Sequence, residues 1–125
     1  MIIKGTVQSG VGVGRHFVER EWVRHQVLTK LGFTPYPGTL NLNVGGAYQM
    51  TLERCLQRGV FLVPPTTGYT AGRCVAVRVN NRVRGCIVRP MLADYPSHTV
   101  EILAPCNLRA LLSLEDEQSV ILNLP

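Results

Sequence analysis

Arg73-Cys74-Val75-Ala76-Val77-Arg78-Val79-Asn80-Asn81-Arg82-Val83-Arg84-Gly85-Cys86-Ile87-Val88 reads as two strands folded back on one turn. Val75, Val77 and Val79 point one way, and Asn80-Asn81 supplies the residue types that a tight turn tolerates. A two-residue loop would pair 75 with 86 and 74 with 87. The thiols of Cys74 and Cys86 would then lie on opposite faces, which disfavours a bond between them unless the loop is odd.

The same alternation recurs on both sides of this hairpin. Ile3-Lys4-Gly5-Thr6-Val7 alternates. Leu40, Leu42 and Val44 alternate with Thr39, Asn41 and Asn43, and Val100, Ile102 and Ala104 with Thr99, Glu101 and Leu103. Residues 119–124 supply a last strand, so about six strands emerge, separated by Gly, Pro and Asn. Helix signals are sparser. Val23, Val27 and Leu31 repeat every four residues, and Gly32 is placed to end the run, which predicts a helix over 19–31. A short helix is expected after Pro105, over 107–111, and 50–58 is a weaker third. The pattern predicts a mainly β fold, a small six-stranded barrel with one longer helix and one or two short ones, since closure removes exposed strand edges. At 125 residues the chain is expected to be one domain, 1–125.

Composition narrows the classes. Hydrophobic residues make up 46% and charged residues 17% of the chain, as in ordinary globular proteins. No apolar run approaches the ~20 residues of a membrane span, and the N-terminus lacks a signal-peptide layout, so a cytoplasmic protein is expected. The net charge of +5 favours anionic partners, while the lack of any run of five like charges argues against a nucleic-acid tail. Four cysteines, Cys55, Cys74, Cys86 and Cys106, form no Cys-x-x-Cys pair. Free buried thiols are expected rather than a zinc site.

Four segments carry candidate chemistry. In Ser9-Gly10-Val11-Gly12-Val13-Gly14-Arg15 alternate glycines free main-chain N–H groups to approach a phosphate, and Arg15 adds a cation. The spacing is neither a dinucleotide fingerprint nor a Walker loop. In Pro35-Tyr36-Pro37-Gly38-Thr39-Leu40-Asn41 two prolines stiffen the entry to a strand on which Thr39 and Asn41 share a face, roughly 7 Å apart. Two such oxygens suit a Mg²⁺ ion whose remaining ligands are substrate phosphates, and equally suit a water-facing strand. Glu101 is a mid-strand carboxylate able to orient a hydroxyl or accept its proton, although glutamates at such positions commonly just face solvent. Cys106-Asn107-Leu108-Arg109 opens a short helix after Pro105, where the Asn107 amide and Arg109 offer contacts to a base or a phosphate. His16, His25 and His98 form no metal-ligand spacing.

Three segments together resemble the archaeal CTP-dependent riboflavin kinases: residues 5–15, residues 31–42, and Val100-Glu101-Ile102-Leu103-Ala104-Pro105-Cys106-Asn107-Leu108-Arg109. The resemblance implies a six-stranded barrel of the cradle-loop type that moves the γ-phosphoryl of CTP onto the 5′-hydroxyl of riboflavin, giving FMN and CDP. It further implies that Val11, Gly12, Val13, Gly14, Arg15 and His16 wrap the nucleotide phosphates, and that Cys106, Asn107, Leu108 and Arg109 hold the nucleotide from the far end of the chain. Thr39 and Asn41 match the family's Mg²⁺ positions, and Glu101 its residue beside the ribityl chain. The chain departs from the family where Ala93 replaces a threonine that contacts the flavin product, and where Glu117-Gln118 replaces a Gly-Asp before the last strand. Some members carry an extra N-terminal DNA-binding domain. This chain begins at the barrel, so no nucleic-acid partner is expected. The competing expectation is a non-catalytic barrel that binds nucleotide, flavin or RNA. An RNA binder calls for a basic face interleaved with aromatics, and these are only 6% of the chain.

Overall fold

The computed structural model describes residues 1–9 and 15–125, with the side chains of Arg15 and His16 outside that description. Strand β4 (Gly72–Val79) and strand β5 (Val83–Pro90) form the central hairpin. Val79 pairs with Val83, so three residues rather than two fill the loop. Asn80 and Asn81 both take positive φ, 50° and 58°, and Arg82 N–H closes the turn on the Val79 carbonyl at 3.0 Å.

The extra loop residue has two consequences. It shifts the register by one, so Cys86 stands opposite Ala76 and Cys74 opposite Val88. The two thiols therefore share the outer face, correcting the two-residue expectation, and each remains a free thiol. The hydrogen bond to Cys74, with burial, pushes the Cys86 thiol well above its ordinary range. The extended tip also reaches the last strand, β7 (Ser119–Asn123). Asn80 N–H donates to the Ile121 carbonyl at 2.8 Å, and Asn80 Oδ1 accepts from Ile121 N–H at 2.9 Å.

That junction closes the barrel. Strand β1 (Ile2–Gln8), strand β2 (Leu40–Val44) and strand β6 (Thr99–Leu103) complete an antiparallel ring, β4-β5-β6-β2-β1-β7, with β7 returning to β4 at Arg78 and Val79. Strand β3 (Val60–Leu62) lies outside the ring and pairs with the first residues of β4. Three residues carry too little alternation to mark it in the sequence.

Two cores follow from the alternation. Inward residues such as Ile3, Val7, Leu42, Val77, Ile87 and Ile102 fill the barrel, and Leu52, Cys55 and Leu56 of helix α3 (Gly46–Gln57) join them. Outward residues Cys74, Cys86, Val88 and Leu103 lie under Phe17 and Val18 of helix α1 (Arg15–Glu19) and Val23 and Val27 of helix α2 (Glu21–Leu31). The helix expected over 19–31 is thus preceded by a separate turn, because Arg20 is extended (ψ 135°) and divides the two. Gly32 ends α2 as expected, left-handed at φ 87° with its N–H on the Leu28 carbonyl. Helix α3 begins four residues before the expected Met50 and, at 12 residues, is the longest. Its start is hidden behind Gly45-Gly46. Helix α4 (Leu108–Leu112) matches the short helix after Pro105. Among the described residues no helix is long and apolar enough to cross a membrane.

Candidate active site

The approach to β2 and the segment after β6 run side by side. Tyr36 N–H donates to the Ala104 carbonyl at 2.7 Å, which pins the proline loop across the end of β6. Between them lies a cavity of about 160 Å³, floored by Leu40 and Ile102 and edged by Tyr36, Thr39, Asn107 and Arg109. Two segments 60 or more residues apart in the chain, Pro37-Gly38-Thr39 and Cys106 to Arg109, therefore line one site. Each of the latter four plays a different part. Leu108 is buried in the barrel core. Asn107 caps α4, its Oδ1 accepting from Ala110 N–H at 3.1 Å. Cys106 is half-buried. Arg109 lines the cavity while its Nη2 donates to Asp116 Oδ1 at 2.7 Å.

Beside this cavity Asn41 stands on the outer face of β2, and Thr39, expected within the strand, lies just before its first residue. Asn41 is buried, and its Nδ2 donates to Thr39 Oγ1 at 3.3 Å. That bond turns Asn41 Oδ1 away from the threonine, and Oδ1 has no hydrogen-bond partner among the described residues. A buried carbonyl oxygen without a donor is costly unless something else meets it. Two hard neutral oxygens in this setting fit a Mg²⁺ ion completed by phosphate oxygens. Among the described residues no cluster of three or more His, Cys, Asp or Glu offers a rival metal site.

Asn41 stands directly opposite Glu101 in the β2–β6 ladder. Glu101 is only 3% exposed, so the solvent-facing alternative does not hold. The Tyr95 hydroxyl is buried and closes no hydrogen bond among the described residues. Burial first, then the charge of Glu101, push the Tyr95 phenol well above its usual range, so it stays a neutral donor. Tyr95 also lines a second cavity, of about 380 Å³, with Glu53, Arg89, Met91 and Leu92. Arg89 pairs with Glu53, lies 5.6 Å over the Tyr95 ring and donates to the Ser97 carbonyl at 3.2 Å.

The two tyrosines nearest the motifs thus part company: Tyr36 edges the smaller cavity and Tyr95 the larger. Thr39 edges the smaller cavity and bonds Asn41, which stands opposite Glu101. Val11, Gly12, Val13 and Gly14, and the side chains of Arg15 and His16, lie outside the described residues. Sequence reasoning missed Arg89, Glu53 and Asp116. Their partners are 36 and 7 residues away across tertiary contacts, and nothing local marks them.

A family model labelled CTP-dependent riboflavin kinase, described as a domain of unknown function, DUF120, matches residues 7–124. Among curated relatives, the riboflavin kinase of Archaeoglobus fulgidus is 42% identical over 118 residues, covering 91% of this chain and 50% of its own length. That of Aeropyrum pernix is 40% identical over 124 residues, covering 95% of this chain and 92% of its own. That of Methanobrevibacter smithii is 32% identical over 120 residues, covering 96% and 97%. The chain therefore spans about half the length of some relatives and nearly all of others. With the barrel in hand and a match over residues 7–124, this chain belongs to the CTP-dependent riboflavin kinase family.

Proposed function

We propose that residues 1–125 act as a riboflavin kinase domain that transfers the γ-phosphoryl of CTP to the riboflavin 5′-hydroxyl, releasing FMN and CDP. One observation carries the reading: two buried polar residues, Asn41 and Glu101, stand opposite one another in the β2–β6 ladder, and Thr39, bonded to Asn41, edges the smaller cavity. The smaller takes the nucleotide, with Cys106, Asn107, Leu108 and Arg109 around the donor and Val11 to His16 supplied to its phosphates by the glycine-rich segment. The larger, with its aromatic ring, apolar Met91 and Leu92, and Arg89, takes the flavin.

Phosphoryl transfer through a loose transition state asks a protein mainly to align the reactants and stabilise charge. Thr39 and Asn41 would hold a Mg²⁺ ion, which would supply neutralisation of phosphate charge. Glu101 accepts a hydrogen bond from the ribityl 5′-hydroxyl, aims it at the γ-phosphorus and takes its proton as the bond forms. Tyr95, kept neutral by burial and by the charge of Glu101, is a hydroxyl available to donate to that carboxylate. The buried site also keeps bulk water from competing as acceptor.

The test is to incubate purified protein with riboflavin, Mg²⁺ and each of CTP, UTP, ATP and GTP, and to follow FMN by chromatography. FMN from CTP supports the reading, FMN from ATP alone replaces the donor, and no FMN from any of the four overturns it. Cys106 gives an independent check of the donor cavity. Of the four thiols it alone is not buried, so iodoacetamide should label it first, and CTP should slow that labelling.

A further inference from the structure

We propose that Asp116 is a positioning residue for the donor nucleotide, holding the root of the glycine-rich segment and the cation of the donor cavity in one fixed relation. The inference rests on the donor reading of that cavity. Its two carboxylate oxygens take different partners: Ser9 Oγ donates to Oδ2 at 2.9 Å, and Arg109 Nη2 donates to Oδ1 at 2.7 Å. The same Nη2 also donates to the Gln8 carbonyl at 3.2 Å. Gln8 ends β1, and Ser9 is the residue from which the chain enters Gly10-Val11-Gly12-Val13-Gly14. One side chain thus ties the end of β1 to α4, on the two stretches proposed to meet the triphosphate and its nucleoside.

The contacts also aim the arginine. Both Nη2 protons are directed at β1 and at Asp116, which leaves the Nη1 and Nε donors of the planar guanidinium to a ligand. The Arg109 and then the Ser9 hydrogen bonds hold the Asp116 carboxyl below its ordinary range, so it is ionised at neutral pH. Both members of the pair are partly exposed, 39% and 54% of their side chains. Such a pair contributes little to stability, so the three converging bonds serve to fix geometry.

The sign of the effect separates positioning from bare charge. An anionic side chain beside a polyanion's site repels it, so removing that charge alone should tighten CTP binding. Removing a positioning residue should loosen it. The experiment compares the intact protein with Asp116→Ala and, as a charge control on the same turn, Glu115→Ala. KM for CTP, KM for riboflavin and melting temperature are measured for each. We expect the CTP KM to rise at least fivefold in Asp116→Ala with the riboflavin KM within twofold, and to stay level or fall in Glu115→Ala. An Asp116→Ala protein with an unchanged or lower CTP KM overturns the inference. So does one in which both KM values rise together with a lower melting temperature, which would mark a merely structural role. Wild-type protein that makes no FMN from CTP would instead sink the functional reading beneath it.

Discussion

Glu117 sits in the left-handed region at φ 70°, on the turn before β7, at the position where the family commonly carries glycine. Its N–H donates to the Val7 carbonyl at 2.7 Å, so the conformation is imposed by pairing with β1 rather than by the residue. A side chain there costs about 1–2 kcal/mol, partly offset by the greater freedom glycine brings to the unfolded chain. Glu117→Gly should therefore stabilise the protein by about 1 kcal/mol. A thermal melt would show a rise of a few degrees, and no rise would mean the turn relaxes at little cost. Neighbouring Gln118, in place of the family's aspartate, uses its Oε1 to accept from Glu115 N–H at 2.9 Å. The departure thus keeps a side-chain acceptor within the turn. Ala93, the other departure, is exposed on the turn leading to Tyr95. Restoring the family residue, Ala93→Thr, should lower the riboflavin KM severalfold if the flavin occupies the cavity beside it.

The element that matters most to the site is β6. It carries Glu101 and is held between β2 and β5, so its position is set by how closely those strands approach. At Gly85 of β5 an added Cβ would lie 2.6 Å from the Leu103 carbonyl oxygen, a main-chain atom that cannot swing aside. Gly85→Ala should push β6 outward, destabilising the fold by about 1–3 kcal/mol in chemical denaturation. It should also lower kcat more than either KM, because the carboxylate moves relative to the transferred group. A variant as stable and active as the parent would mean that the ladder yields freely there. The hairpin shows the same dependence of chemistry on register. A single residue in a loop decides which side chains share a face, and here it brought Cys74 and Cys86 together on the outer one.

For the molecule as a whole, the +5 charge acts on ligands of different charge in different ways. CTP is a polyanion and riboflavin is neutral, so screening should raise the CTP KM as salt increases and leave the riboflavin KM nearly level. Equal sensitivity of both would show that salt acts on the protein rather than on the encounter.

Short-range pattern was enough to recover the six barrel strands, the cap at Gly32 and the shared face of Thr39 and Asn41. Period-2 alternation and turn chemistry are local properties, and a strand buried on one face cannot hide them. The family resemblance likewise rested on three runs of neighbouring residues. Folding in three dimensions decided the rest: the three-residue loop, the split between α1 and α2, the early start of α3, the burial of Glu101 against Tyr95, and the contacts of Arg89, Glu53 and Asp116. Each of these is selected by contact between groups remote in the chain. The Asn80 tip lengthens its loop to meet Ile121, and Glu101 is buried because β2 and β5 flank it. The energy that favours those arrangements exists only once the barrel has closed.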